Sequence, residues 1–130
     1  MADVTPGARP LSPHLSVYRA QINMVTSIVN RITGVAMALA AVLVVWWLLA
    51  AATSASYYDF VNGILTSWIG LLVLFGSLWA LWFHLLGGVR HLIMDFGVGY
   101  ELEAVNFWGW AIVVLSLVLT VASIICLAVF

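Results

Sequence analysis

The sequence predicts an all-α membrane protein with three transmembrane helices, and this fold class follows from its composition and its three long apolar runs. Of its 130 residues, 65% are hydrophobic and 7% are charged, which is more apolar than the core of a soluble domain of this size requires. About 20 helical residues, each rising about 1.5 Å, cross the roughly 30 Å hydrocarbon core of a bilayer. We expect spans at about 30–52, 64–94 and 106–129, in a membrane domain of residues 29–130 that follows a cytoplasmic N-terminal segment of residues 1–28.

The three runs differ in how far polar residues interrupt them. The first has the sequence VAMALAAVLVVWWLLAAA at its centre, and the third continues to the C-terminal Phe130. Residues 53–63 are predicted to form a polar turn, and residues 95–106 a second short connection. The second run is interrupted by three hydroxyl residues and one imidazole, which are Thr66, Ser67, Ser77 and His84.

The positions of the arginines predict how the chain lies in the membrane. Short loops rich in Lys and Arg stay on the cytoplasmic side. The first ten residues, MADVTPGARP, lack the apolar stretch of a secretory signal and the Arg- and Ser-rich pattern of a transit peptide. We therefore expect a multi-pass protein of the bacterial inner (plasma) membrane with its N-terminus in the cytoplasm. All four arginines lie before the first span or at the end of the second, which is the same side: Arg9, Arg19, Arg31 and Arg90.

The charge balance restricts the partners. Four basic residues stand against five acidic ones, which excludes the strongly basic surface that nucleic-acid binding needs. Membrane lipid is the partner that the composition requires.

His84 is an ionisable residue within a span. Placing such a residue in the bilayer costs free energy, so it needs a partner that offsets this cost. It lies eleven residues before Asp95, hence roughly 16 Å into the bilayer from that end of the helix. An imidazole at this depth is satisfied by a helix-to-helix hydrogen bond, a metal or a heme iron. The position alone leaves the structural hydrogen bond and the cofactor ligand equally open.

Small residues surround this histidine at four-residue spacing. Gly76, Ala80, His84 and Gly88 form a narrow stripe, and Gly87 widens it. Such a stripe is typical of close helix packing. A flat macrocycle also needs room beside the helix backbone, so the glycines alone do not distinguish helix packing from cofactor binding. His14 lies in the polar N-terminal segment and His91 near the interface. A heme with two imidazole ligands would therefore need its second ligand from another chain.

A second group of polar residues lies at the entrance of the first helix. It consists of Ser27, Asn30, Arg31 and Thr33. Ser27 and Arg31 are four residues apart and share a helical face, so a hydroxyl and a guanidinium would converge on one small polar head group, such as a quinone carbonyl. The alternative is that Arg31 extends to lipid phosphates and Ser27 caps the helix.

Two other functions are compatible with three spans. A small transporter or channel subunit would use His84 and Arg31 in an ion or proton path, and a purely structural scaffold would tolerate replacement of His84. The sequence offers a transporter no carboxylate in the middle of a span. All the acidic residues near the predicted helices fall at span ends or in loops: Asp59, Asp95, Glu101 and Glu103.

Three segments together resemble the cytochrome b subunit of succinate dehydrogenase, the larger of the two membrane anchors of that complex. They are RPLSPHLSVYR, SIVNRITG and HLLGGVRHLIMDFG, which occur in this order. The resemblance implies that His84 is an axial ligand of heme b, that Ser27 and Arg31 line a ubiquinone pocket, and that Arg31 and His91 lie near the heme propionates. Many members have His where this chain has Asn30, so a propionate contact there is not implied.

The resemblance also implies partners. A second membrane anchor would supply the other heme ligand. An iron-sulfur subunit would dock on the N-terminal RPLSPHLSVYR segment, and a flavoprotein would oxidise succinate. This chain would perform no succinate chemistry and would bind the quinone that receives the electrons.

Overall fold

The computed structural model describes residues 18–129, which form four α-helices and no β-strand. The helices are α1 (Ile22–Thr53), α2 (Ala55–Leu65), α3 (Trp68–Asp95) and α4 (Leu102–Val129). Helices α1, α3 and α4 are long and apolar enough to cross a membrane. The all-α fold class with three spans is therefore confirmed.

Helices α1 and α4 begin before the expected spans, and all three long helices are longer than a hydrocarbon core requires. Helix α1 has 32 residues and is about 48 Å long, and α3 and α4 each have 28 residues and are about 42 Å long. A hydrocarbon core of about 30 Å leaves several ångströms of each helix outside it. Helix α1 begins at Ile22, so the last residues of the expected N-terminal segment are helical. Arg9, His14 and most of the RPLSPHLSVYR segment lie outside the described residues.

The segment expected to be a polar turn is instead a helix, α2. Ser54 caps it, since the Ser54 hydroxyl accepts a hydrogen bond from the backbone N–H of Tyr57 at 3.3 Å. The helix packs on α1 through aromatic residues: the Trp46 indole donates to the Tyr57 hydroxyl at 2.7 Å, and Val61 is fully buried. The expectation of a turn was wrong because it rested on the polar residues of the segment. The signal for the helix is a serine cap with apolar residues three and seven positions later.

A sharp break separates α2 from α3, so the second span begins at Trp68 rather than Ile64. The Ser67 hydroxyl caps α3 by accepting from the backbone N–H of Gly70 at 3.2 Å. A β-carbon on Gly70 would overlap the carbonyl oxygens of Ile64 and Leu65. The absence of a side chain at Gly70 therefore lets the end of α2 approach the start of α3 closely at this break.

The core between the three long helices consists mostly of small and hydroxyl-bearing residues, together with Phe83 and Ile112. Helix α3 packs on both α1 and α4, and α1 also contacts α4. The buried hydroxyls bond to carbonyls of their own helices, as Thr120 does to Ser116 at 2.7 Å, so they pack without unpaired donors. The large apolar side chains point outward into the lipid. The buried residues of the three helices are Thr26, Thr33, Ala50, Gly70, Ala80, Phe83, Gly87, Gly109, Ile112, Ser116 and Thr120.

Candidate functional site

His84 lies in the middle of α3 and is partly buried against α1. Its Nδ1 atom is 3.0 Å from the backbone carbonyl oxygen of Asn30. A carbonyl oxygen only accepts hydrogen bonds, so Nδ1 must carry the hydrogen and donate it. In the neutral imidazole the other ring nitrogen, Nε2, then keeps a free lone pair.

Two further residues of α1 fix the imidazole in place. The Thr33 hydroxyl donates to the same Asn30 carbonyl at 2.9 Å and lies 3.5 Å from His84 Nδ1. A β-carbon on Gly34 would come within 3.0 Å of His84 Cε1, so the ring lies against bare backbone. The sequence does not predict these contacts, because the periodicity of one helix does not give its register against another.

The stripe of small residues divides into packed and open positions. Ala80 and Gly87 are buried, and a β-carbon on Gly87 would overlap the Asn30 side-chain oxygen. A β-carbon on Gly76 or Gly88 meets no atom within 4 Å. Helix packing therefore explains only half of the stripe.

An apolar groove of about 380 Å³ runs between α1 and α3 beside the histidine. Thr33, which contacts His84, lines this groove, and so does Ala80, one helical turn before His84. The remaining walls are mostly small and aliphatic, including Ala36 and Gly76, with one aromatic residue, Trp79. Of the two open positions of the stripe, Gly76 therefore faces this groove and Gly88 does not.

The second group of polar residues surrounds a much smaller cavity, of about 30 Å³, between α1, α3 and α4. Ser27 and Asn30 line it from α1, and Arg90 and His91 line it from α3. The structure thus brings Ser27 and His91 together, as expected for one site near the same membrane surface. Arg31 is exposed one turn from Ser27 and does not line this cavity.

Two polar atoms in this region lack partners. The hydroxyls of Thr26 and Thr33 bond to carbonyls of their own helix, whereas the Ser27 hydroxyl makes no hydrogen bond to any residue within 18–129. The side-chain oxygen of Asn30 is buried and receives no hydrogen bond there either. Ser27 is therefore available as a hydrogen-bond donor to a bound molecule.

No cluster of three or more metal-ligating side chains occurs within residues 18–129. His84 is thus an isolated candidate ligand in the described part of the chain.

Comparison with known proteins decides the family. The family model for the succinate dehydrogenase/fumarate reductase transmembrane subunit matches residues 5–123. The chain belongs to this family. The succinate dehydrogenase/fumarate reductase transmembrane subunits are membrane proteins by definition, so the expected membrane location and the resemblance found in the sequence are both confirmed.

Relatives of this transmembrane subunit extend over nearly the whole chain. The chain is 48% identical over 130 residues to the succinate dehydrogenase cytochrome b556 subunit of Paracoccus denitrificans, covering 100% of both chains. It is 40% identical over 112 residues to the subunit of that name from Rickettsia felis, covering 86% of this chain and 87% of the relative. It is 33% identical over 121 residues to the succinate dehydrogenase cytochrome b560 subunit of Reclinomonas americana, covering 88% and 83%. These matches do not support a transporter or channel subunit.

Proposed function

We propose that this chain is the membrane-anchor cytochrome b subunit of succinate:ubiquinone oxidoreductase, which binds heme b together with a second anchor and helps to form the ubiquinone-reduction site. The observation that carries the proposal is the hydrogen bond from His84 Nδ1 to the Asn30 carbonyl. The names of the relatives, cytochrome b556 and b560 subunits of succinate dehydrogenase, support it independently.

The surroundings of His84 fit an axial heme ligand. A metal-ligating histidine almost always donates its other ring N–H to a carbonyl or carboxylate, which fixes the tautomer and the ring orientation. His84 has such a partner in the Asn30 carbonyl, and Nε2 is left to hold iron. The groove lined by Thr33, Ala80 and Gly76 provides room for a flat macrocycle. When bound, the heme supplies a one-electron redox centre within the membrane.

A second protein ligand of the iron would come from the partner anchor. His91 is the only other histidine within residues 18–129, and it lies seven residues, or about 10 Å, further along the same helix. Two residues so separated on one helix do not bind opposite faces of one iron. In this proposal His91 and Arg31 lie near the heme propionates, which carry negative charge.

Ser27 and Arg31 are proposed to bind the quinone. The free Ser27 hydroxyl would donate a hydrogen bond to a carbonyl oxygen, and the exposed Arg31 guanidinium would stabilise negative charge that develops on the quinone oxygens during reduction. The cavity beside Ser27, about 30 Å³, has room for about one water molecule. The quinone ring would therefore bind outside this cavity, in a pocket completed by the partner subunits.

The rest of the complex would supply the electrons. A flavoprotein oxidises succinate, and an iron-sulfur subunit passes the electrons to ubiquinone beside this chain, which acts as a non-catalytic anchor. Arg19 and Arg31 lie at the start of α1, and Arg90 lies near the end of α3. In a three-span chain these two helix ends are on the same side of the membrane. Short loops rich in Lys and Arg stay in the cytoplasm, so we expect this side and the N-terminus to be cytoplasmic.

The heme assignment is tested by the reduced-minus-oxidised spectrum of the purified complex. A b-type band is expected in the wild type and in His91→Ala, and its loss in His84→Ala, because His84 would be the ligand of the iron that this chain supplies. His91→Ala is the control for ligation: it removes an imidazole that is placed near the propionates and not on the iron, so it should lower heme content at most and not abolish the band. The proposal fails if the wild type has no b-type band or if His84→Ala retains it.

The quinone assignment is tested by two activities of the same complex. Ser27→Ala and Arg31→Ala should lower succinate-dependent quinone reduction about tenfold or more, while succinate oxidation by an artificial acceptor changes little. Thr53→Ala is the control, because the Thr53 hydroxyl is bonded to the Leu49 carbonyl of its own helix at 2.7 Å, at the opposite end of α1. Equal losses in both activities would contradict the assignment.

A further inference from the structure

Thr33 belongs to the polar group at the start of α1 but does not line the cavity beside Ser27. Its side chain is only 2% exposed, and its hydroxyl lies 3.5 Å from His84 Nδ1. A hydroxyl so buried has no water with which to exchange partners. The hydrogen bond that it donates to the Asn30 carbonyl at 2.9 Å is therefore a lasting part of the surroundings of His84.

Three donors converge on the Asn30 carbonyl oxygen. The helix itself supplies the backbone N–H of Gly34, four residues later. The Thr33 hydroxyl and the His84 Nδ1–H group are the other two, at 2.9 and 3.0 Å. A carbonyl oxygen has two lone pairs, so the three donors share its electron density. Each of these hydrogen bonds is therefore weaker than it would be with fewer competitors.

This competition affects the ring nitrogen that is left to hold iron. A stronger hydrogen bond from Nδ1–H makes the imidazole a more basic ligand, and a more basic ligand stabilises the oxidised iron relative to the reduced iron. Hydrogen bonding to an axial ligand is one of the ways in which a protein sets the potential of a heme. By occupying part of the acceptor, the Thr33 hydroxyl weakens the hydrogen bond of His84 and favours the reduced iron.

The position of the imidazole does not depend on the Thr33 hydroxyl. The ring packs against the bare backbone of Gly34, where a β-carbon would come within 3.0 Å of His84 Cε1, and its Nδ1 atom is bonded directly to the Asn30 carbonyl. Removing the hydroxyl would therefore leave the ring in place and strengthen its bond to that carbonyl.

We propose that Thr33 raises the reduction potential of the iron bound to His84 by competing with the imidazole for the Asn30 carbonyl. Thr33 is a positioning residue, since it acts only through the hydrogen bond of His84. The inference rests on the proposed function, because it requires heme at His84.

The test is a redox titration of the whole complex, followed at the b-type band. Thr33→Val removes the hydroxyl and keeps the shape of the side chain. It should lower the midpoint potential, so that at the wild-type midpoint the oxidised heme exceeds the reduced heme about twofold or more. Heme content should stay at the wild-type level, because the ring keeps its place. An unchanged or a higher midpoint potential would overturn the proposal.

Thr26→Val is the matched control. Thr26 lies seven residues before Thr33, on the same face of α1, and is 3% exposed. Its hydroxyl makes the same kind of bond, to the Asn23 carbonyl three residues earlier, at 3.1 Å. Neither histidine within residues 18–129 bonds to that carbonyl, so the midpoint potential of Thr26→Val should equal that of the wild type. An equal decrease in both variants would refute the role of Thr33.

A second pair of variants, Thr33→Ser and Thr33→Ala, decides the matter if Thr33→Val does not assemble. Both side chains are smaller than threonine, and the two differ only in the hydroxyl. Serine can donate to the same carbonyl and should keep the wild-type midpoint potential, whereas alanine should lower it. Equal midpoint potentials in the two variants would contradict the proposal.

The failure of this inference can be distinguished from the failure of the heme assignment. A b-type band that is lost in His84→Ala, but whose midpoint potential does not respond to Thr33→Val or Thr33→Ala, would refute only the role of Thr33. A complex without a b-type band, or with a band that His84→Ala retains, would refute both.

Discussion

The main chain of α1, rather than any side chain, is the hydrogen-bond partner of His84. Because the acceptor is the Asn30 carbonyl, the residue type at position 30 does not decide which imidazole nitrogen carries the hydrogen. Replacing Asn30 with another residue would therefore keep the tautomer that an iron ligand needs. What changes with Asn30 is its side chain, whose buried oxygen lies against Gly87.

Gly34 should be necessary for this arrangement. In Gly34→Val the new side chain would occupy the position of the imidazole, since even a β-carbon comes within 3.0 Å of His84 Cε1. Displacing the ring from the Asn30 carbonyl is expected to weaken heme retention about 10- to 100-fold, the usual effect of losing such a partner. The measurement is the heme content per purified complex during dilution.

Gly63→Val provides the control for this prediction. A β-carbon on Gly63 meets no atom within 4 Å, so the same substitution there should leave the heme content at the wild-type level. If both variants lose heme equally, the effect is one of general stability, and the role given to Gly34 is wrong.

The residues of the candidate site were more predictable than their contacts. A lone histidine at mid-membrane and the pair Ser27 and Arg31 stand out in the sequence, because polar residues in apolar helices are costly. That Thr33 and Gly34 contact His84 depends on the register between α1 and α3. Nothing in one helix fixes that register, so it becomes visible only in the structure.

Among the elements, α2 shows where the length and polar composition of a segment give the wrong secondary structure. Its 11 residues are too few to cross a membrane and contain Asp59 and Asn62, so the segment resembles a turn. Its stability comes from packing on α1, where the Tyr57 hydroxyl accepts a hydrogen bond from Trp46 and the Tyr58 ring packs at a tilt against Trp47 with ring centroids 5.7 Å apart. Tertiary contacts, rather than intrinsic propensity, make such a short segment helical.

The packing of α3 on α1 leads to opposite expectations for two adjacent glycines. Gly87→Ala should destabilise the complex by about 1–3 kcal/mol, as overpacking usually does, because its β-carbon would overlap the Asn30 side chain. Gly88→Ala should be neutral or slightly stabilising, because its β-carbon meets nothing and alanine is favoured over glycine in helices. The thermal midpoint of the purified complex distinguishes them. Equal shifts would contradict this account of the packing.

At the scale of the whole molecule, the chain reverses the usual distribution of residue types. Its interior is formed mostly by Gly, Ala, Ser and Thr, with Val61, Phe83 and Ile112 as the larger buried residues, and its surface is rich in Leu, Ile and Val. Helices in a bilayer gain little from burying large apolar side chains, since lipid tails are equally apolar, so small residues that permit close approach occupy the contacts. The high hydrophobic fraction predicts the three spans for the same reason, but it carries no information on how they pair.

The orientation of the whole molecule follows from its arginines and can be tested with single cysteines. Helix α3 crosses once between α2 and the α3–α4 connection, so these two parts must lie on opposite sides of the membrane. In a Cys126→Ser background, Ser56→Cys on α2 should react with a membrane-impermeant maleimide in intact cells. Glu101→Cys should react only after permeabilisation, because positive charge keeps its side of the chain in the cytoplasm. Both positions are exposed, so the reverse labelling pattern would invert the topology and would move the proposed quinone site to the outer surface.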